Sequence, residues 1–313
     1  MGSAALSVLR LDSSGRPVCR DNRLLYRTIT DSGLRADPER FERLVTNGFL
    51  RDAAERYATF VEPQLRQLGP TVYRMGSPAS ERAHFCGETP RHRVRLSAFG
   101  MAAVPVTNEM YGCFDERRAG LPTETRRLPA VDVSWFDAAV CALWFGARLP
   151  TEAEWEYACG ADSPEQWCCD DPAELPRHAW YSENAQDALH PVGTRESNRL
   201  GLWDMAGNVW EWCQDDYTPG YRERRPMTGL VNEDSESRCG WQVGGQAHKV
   251  SRGGGFLALA EMCRTRYRLH DPPEFWARDL GFRMAVSPKS TEVSSDHTDD
   301  RGIAGESGLP TGP

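Results

Sequence analysis

No apolar run in this chain reaches the about 18 residues that a membrane-crossing helix needs, so no membrane role is expected. The first ten residues hold a short apolar run, Ala4, Ala5, Leu6, Val8 and Leu9. They lack the basic start and long apolar stretch of a secretory signal. The expectation is therefore a cytoplasmic protein, whose 10 cysteines stay reduced. No Cys-x-x-Cys pair occurs, which argues against a structural zinc knuckle. Cys168 and Cys169 are adjacent and read as ordinary thiols. Basic clusters are also missing: Arg222-Glu223-Arg224-Arg225 is short and interrupted, and the net charge is −8. Nucleic acid is not an expected partner. The chain lacks a Gly-x-Ser-x-Gly elbow, a glycine-rich phosphate loop with its lysine, and a Gly-x-Gly-x-x-Gly after a strand. Gly253-Gly254-Gly255 reads as a turn.

What is present points to an aromatic, loop-rich domain. The 313 residues include 28 glycines and 10 tryptophans, and 40% are hydrophobic, enough for a sizeable core in one large domain or two small ones. Three segments separate by composition. Residues 1–70 read as a leader. A strand, turn and strand are expected over 9–18, and a helix opening at Asp37-Pro38. A second helix is expected over 53–68, kinked at Pro63. Residues 288–313, rich in Ser, Asp, Gly and Thr, read as a disordered tail. Between them, 71–287 reads as the main domain. His92-Arg93-Val94-Arg95-Leu96 alternates like a half-buried strand. Ser134 with Asp137, then Thr151 with Glu154, form two capping-box patterns, each followed by a short helix that a glycine, Gly146 or Gly160, brings to an end. After Gly160 no long periodic segment occurs, so backbone groups there must find partners other than regular ladders.

Ordered motifs run through this main segment. Tyr73-Arg74-Met75-Gly76-Ser77 comes first, then Glu88-Thr89-Pro90-Arg91-His92-Arg93-Val94 and Pro105-Val106-Thr107-Asn108. Val133-Ser134-Trp135-Phe136-Asp137-Ala138 precedes Arg148-Leu149-Pro150-Thr151-Glu152-Ala153-Glu154-Trp155-Glu156-Tyr157-Ala158. His190-Pro191-Val192-Gly193 and Asn198 lead into Gly201-Leu202-Trp203-Asp204-Met205-Ala206-Gly207-Asn208-Val209-Trp210-Glu211-Trp212. Ser251-Arg252-Gly253-Gly254-Gly255-Phe256, Cys263-Arg264, Tyr267-Arg268 and Leu280-Gly281-Phe282-Arg283 close the series. In order and spacing this resembles the formylglycine-generating-enzyme (sulfatase-modifying factor) family, over about two thirds of the chain.

The resemblance implies an α+β fold, C-type-lectin-like and loop-rich, with little regular secondary structure. It implies calcium near Asp204 and Asn208, with a second ion near Asn184. Asp204 and Asn208 lie in a glycine-rich turn, where a hard cation can collect oxygens or where both side chains simply cap the turn. It also implies an oxidase that holds Cu(I) between two thiolates, which suit a soft metal. Here the resemblance meets a departure. Cys263 matches the second of those cysteines, but the first position is Ala258, and a methyl group binds no copper. Standard cysteine-to-formylglycine oxidation is therefore not expected. Cys263 is read as a residual copper ligand, a reactive thiolate or a buried small hydrophobe. A related branch holds iron with three histidines, two in a His-x-x-x-His pair. No two of His84, His92, His178, His190, His248, His270 and His297 stand four apart.

Two readings follow. One is an atypical oxidoreductase-like modifier of a peptide or small molecule, with Cys263 and Arg268 as catalytic candidates. The other is a non-catalytic binding or accessory module that holds a peptide, glycan or partner enzyme. Under either reading, Trp210, Arg252 and His270 are candidates for a substrate groove. Arg252, Arg266, Arg268 and Arg283 are alternatively structural, paired with Glu154, Glu156 or Glu211. Oligomeric state is left open.

Overall fold

A computed structural model describes residue 26 and residues 52–78, 87–160, 163, 165–169, 171–221, 230–232, 242–243 and 246–287. The hairpin expected over 9–18, the helix opening at Asp37 and the tail over 288–313 lie outside these residues.

The first described helix is α1 (Ala53–Arg56), continued as a wider turn through Val61. Pro63 sits in a 3-10 turn over Glu62–Gln64, and there the helix ends. A proline lacks the amide that would continue it. The expected helix over 53–68 is thus corrected at its last turn: Leu65–Leu68 is a strand, β1. It is followed by β2 (Thr71–Met75), β3 (His92–Leu96) and β4 (Phe99–Ala102). β3 behaves as its alternation predicts, with Val94 and Leu96 buried and Arg93 and Arg95 turned outward.

Helices α2 (Asn108–Phe114) and α3 (Glu116–Ala119) lead to the central pair α4 (Trp135–Trp144) and α5 (Glu152–Gly160). Both capping boxes form. Ser134 Oγ accepts from Asp137 N while the Asp137 carboxylate accepts from Ser134 N. Thr151 Oγ1 accepts from Glu154 N at 3.1 Å, and Glu154 Oε2 accepts from Thr151 N at 2.8 Å. Each box supplies acceptors for two backbone N–H donors that the helix start leaves unpaired. α6 (Leu175–His178) is one turn.

The remaining strands are β5 (Trp210–Asp216), β6 (Leu230–Asn232), β7 (Gln242–Val243), β8 (Gln246–Ala247), β9 (Lys249–Arg252), β10 (Leu269–Asp271), β11 (Leu280–Gly281) and β12 (Ala285–Val286). They form sheets ordered β1-β4-β12, β10-β9-β5-β11 and β2-β3-β6, with β7-β8 as a separate ribbon. β4 lies between the first and last strands, with Met101 opposite both Arg66 and Ala285. Helix α5 packs on β2, β3, β5 and β9, so it sits where two sheets meet. The architecture is α+β and loop-rich, as expected.

Residues 179–209 hold no helix or strand. Side-chain amides take over the role of ladders. Asn198 Nδ2 donates to the carbonyls of Ala158 (2.7 Å) and Cys159 (3.0 Å), and its Oδ1 accepts from Leu200 N and Leu202 N. Gly207 closes this region at φ 74°. A Cβ there would lie 2.1 Å from the Trp180 carbonyl oxygen. Gly207→Ala therefore combines a left-handed backbone with a clash against main chain. It is expected to cost more than about 3 kcal/mol, read as a lower urea midpoint, and a change of under about 1 kcal/mol would show the loop to be plastic.

Candidate functional site

β9 delivers Arg252 into the turn Gly253-Gly254-Gly255, whose first two residues have φ 98° and 78°. The chain then returns through a 3-10 turn over Ala260–Cys263, and Thr265 just beyond it packs on Gly160 at the end of α5. This brings the two cysteine-equivalent positions together. A Cβ on Gly254 would stand 2.7 Å from Cys263 Sγ and 3.3 Å from Ala258 Cβ. Cys263 is fully buried, and Ala258 nearly so. Burial pushes the Cys263 thiol up to about 12, partly opposed by a hydrogen bond from the Gly207 backbone. Burial thus favours the protonated thiol over the thiolate. Cys159, also buried, contacts Thr265 Oγ1 at 3.5 Å and is likewise pushed up to about 12 by burial. Two-coordinate Cu(I) does not fit residues 258 and 263 as they stand, because a methyl group occupies the place of one donor.

The arginines belong to the interior. Arg268 has a fully buried side chain. Its Nε and Nη2 donate to the two oxygens of Glu152, and its Nη1 donates to the carbonyls of Gly87 (3.0 Å) and Thr218 (2.9 Å). Its guanidinium lies 4.5 Å from the Tyr221 ring centre. Arg252 pairs with Glu156 and donates to the Tyr267 carbonyl. Arg283 grips Glu211 with two donors, at 2.6 and 2.7 Å, while Arg264 holds Glu88. The structural reading of the arginines therefore holds for Arg252 with Glu156 and for Arg283 with Glu211. Arg268 uses Glu152 instead, Glu154 serves Arg148, and Arg266 donates to the Ser163 carbonyl at 3.2 Å. Neither Arg268 as a catalytic group nor Arg252 as a groove residue faces solvent. Each donates to buried carboxylate and carbonyl oxygens, which are the groups that fix its position.

Of the other groove candidates, Trp210 is buried, 5.8 Å from the Tyr267 ring. His270, the middle residue of β10, is half-buried and stacked on Tyr217. Its pKa is lowered by burial, then by His248 and Arg268. The three do not converge on one opening.

The calcium candidates act as staples. Asp204 Oδ2 accepts from Gly193 N at 2.8 Å, and Asn208 Oδ1 accepts from His190 N at 3.2 Å. Asn208 Nδ2 donates to the His190 carbonyl and to Asp204 Oδ1. Asn184 Oδ1 caps Tyr181 N at 2.9 Å. Calcium takes six to eight oxygens. This set offers one carboxylate and two amide side-chain oxygens, all engaged by N–H donors, so an ion here would draw most of its ligands from backbone carbonyls. Among the described residues no three His, Cys, Asp or Glu side chains are grouped to hold a metal.

One feature of this face had no periodic signal in the sequence. Leu257 and Leu259 flank Ala258 at 36% and 55% exposure, and Phe275 and Trp276 on the neighbouring loop are 43% and 62% exposed. The loops meet where Arg278 lies 5.4 Å from the Phe256 ring centre. The second loop is anchored below by Trp135 N, which donates to the Pro273 carbonyl at 3.0 Å.

The layered sheets, the capped helix pair and the buried Arg–Glu pairs around the Gly253-Gly254 turn define a formylglycine-generating-enzyme-type fold. Residues 60–288 match the sulfatase-modifying factor enzyme 1-like domain, and the chain belongs to that family. It is 30% identical over 290 aligned positions to a formylglycine-generating enzyme of Streptomyces coelicolor, covering 71% of this chain and 89% of that one. It is 30% identical over 228 positions to the serine/threonine-protein kinase pkn1 of Chlamydia caviae, covering 64% of this chain but only 35% of the kinase. Among solved structures, PvdO from Pseudomonas aeruginosa superposes with a TM-score of 0.58 at 25% identity, over 71% of this chain and 93% of that one. No helix among the described residues is long and apolar enough to cross a membrane.

Proposed function

We propose that this chain is a family member without the copper-dependent oxidation, a binding or accessory module that holds a peptide or protein on the face carrying Leu257, Leu259, Phe275 and Trp276. The observation that carries this reading is the pairing of one buried sulfur at Cys263 with a buried methyl group at Ala258. Apolar side chains exposed on loops over a rigid frame are the usual equipment of a binding face. They surround the position where the family's chemistry would sit.

The test is oxygen uptake with thiol-containing peptides and Cu(I), beside capture of an immobilised peptide library. The purified chain is expected to consume no oxygen above its Cys263→Ser variant. The exposed-loop double variant Leu259→Ser, Trp276→Ser is expected to lose at least about tenfold in peptide affinity, the loss of roughly 1.4 kcal/mol. Turnover that vanishes in Cys263→Ser would overturn the reading in favour of an atypical oxidase.

A further inference from the structure

β9 and β10 run antiparallel, with His270 opposite Val250 and Asp271 opposite Lys249. His248 is two residues from Val250, so it shares the face of His270 and is its diagonal neighbour, within reach of a ring side chain. The two imidazoles meet there: Nδ1 to Nδ1 is 2.9 Å, and the ring centres are 5.1 Å apart. Tyr217 stacks on His270 at 3.9 Å between ring centres, and Tyr217 N donates to the His248 carbonyl at 2.8 Å. Both rings are therefore held in place, and both are half-buried, not sealed. Lys249 beside them is paired with Asp216 at 2.7 Å, and Arg268 is occupied by Glu152. The neighbouring Asp271 carboxyl is within electrostatic reach of His248.

Two nitrogens aimed at each other at this distance have a geometric meaning. With metal–nitrogen bonds of about 2.0–2.1 Å, a tetrahedral ion spaces its ligands about 3.3–3.4 Å apart, whereas a right-angle pair stands about 2.9 Å apart. Right-angle nitrogen and oxygen ligation is the habit of Cu(II) and Ni(II), and imidazole suits both.

We infer that His248 and His270 form an open two-histidine site for a divalent late transition metal of the Cu(II) or Ni(II) type, with Asp271, adjacent in the chain, contributing negative charge nearby. In the metal-free dyad one Nδ1–H is donated to the other Nδ1. On binding, the donor ring's proton moves from Nδ1 to Nε2 through solvent, the other ring already carries its proton on Nε2, and both Nδ1 lone pairs go to the ion. Coordination changes no oxidation state. Water fills the remaining positions, which leaves room for a small ligand at the ion.

The experiment titrates Cu(II) into untagged full-length protein, followed by calorimetry and electron paramagnetic resonance. One ion per chain is expected at micromolar affinity, with hyperfine coupling from two imidazole nitrogens. His248→Ala and His270→Ala should each lose about a hundredfold or more, and Asp271→Asn less, whereas Cys263→Ser should leave the affinity unchanged. Unchanged affinity in both histidine variants, or copper lost in Cys263→Ser, would overturn the site. Because the histidine variants could unfold, the wild-type protein gives a second readout. Ni(II) should protect His248 and His270 from diethyl pyrocarbonate, as mapped by mass spectrometry, and equal labelling with and without Ni(II) refutes the assignment. Neither arm depends on the peptide-binding reading, so the two fail separately.

Discussion

Arg283→Met is expected to lower the unfolding free energy by about 3–5 kcal/mol, the cost of leaving one member of a buried ion pair without its partner. Arg283 and Glu211 are both fully buried. The arginine also donates to the carbonyls of Ala102 (3.1 Å) and Trp203 (2.9 Å), so it joins β4, the loop before Asp204, and β5. Methionine fills similar volume but donates nothing, and Glu211 would keep only Trp155 Nε1, now at 2.7 Å. The double variant Glu211→Leu, Arg283→Met removes the orphaned charge and should recover most of the loss. A residue of about 1–3 kcal/mol is expected to persist, because Trp155 then lacks its acceptor. Urea denaturation followed by tryptophan fluorescence measures all three variants. If the single change cost under about 1 kcal/mol, the buried pairs would not be what holds the loops together.

Ala258→Cys is expected to give the chain a one-to-one Cu(I) complex that the parent lacks. The two positions already flank Gly254, so the new sulfur enters a preformed neighbourhood where only a methyl group stood. Burial holds the Cys263 thiol up at about 12, so at neutral pH copper must displace its proton. Apparent affinity should therefore rise with pH through the range below 12, about tenfold per unit for each thiol deprotonated. Competition with a Cu(I) chelator reads this directly, with Ala258→Cys, Cys263→Ser as the control. A variant that binds no copper at any pH would mean that the pocket has been remodelled beyond the one substitution. The proposed loss of oxidation would then rest on more than Ala258.

The elements that could be read from the sequence are those whose signal is local. Ser134 with Asp137 and Thr151 with Glu154 state helix starts within four residues, and His92 to Leu96 states a half-buried strand within five. Leu65–Leu68 misled because its strand character comes from pairing with Phe99–Ala102, more than thirty positions away. Helix α5 shows a deeper reason. Glu152, Glu154 and Glu156 are all buried, which no hydrophobic pattern announces. Glu152 and Glu156 are made tolerable by Arg268 and Arg252 from distant segments, and Glu154 by Arg148 six positions before it. The site divides the same way. Ala258 in place of a cysteine was visible from the motif order. The burial of Arg252 and Arg268 was not, because a guanidinium in the core looks the same in a sequence as one on the surface. The histidine pair was hidden too: His248 and His270 are 22 positions apart and meet only through the register of β9 and β10.

The strand order β1-β4-β12 has a consequence for how the molecule is made. The central strand waits for its second neighbour, Ala285–Val286, until nearly all of the described chain has left the ribosome. The interior pairs wait as well, since Arg264 must find Glu88 and Arg268 must find Glu152, across 176 and 116 positions. Such distant closures are slow, because loop entropy is lost before the contacts return anything. Until residues 264–286 emerge, Glu88 lacks Arg264 and Glu152 lacks Arg268, and the first sheet has an open edge. During synthesis this domain is therefore a partly exposed intermediate for most of its length, and it completes almost at once at the end.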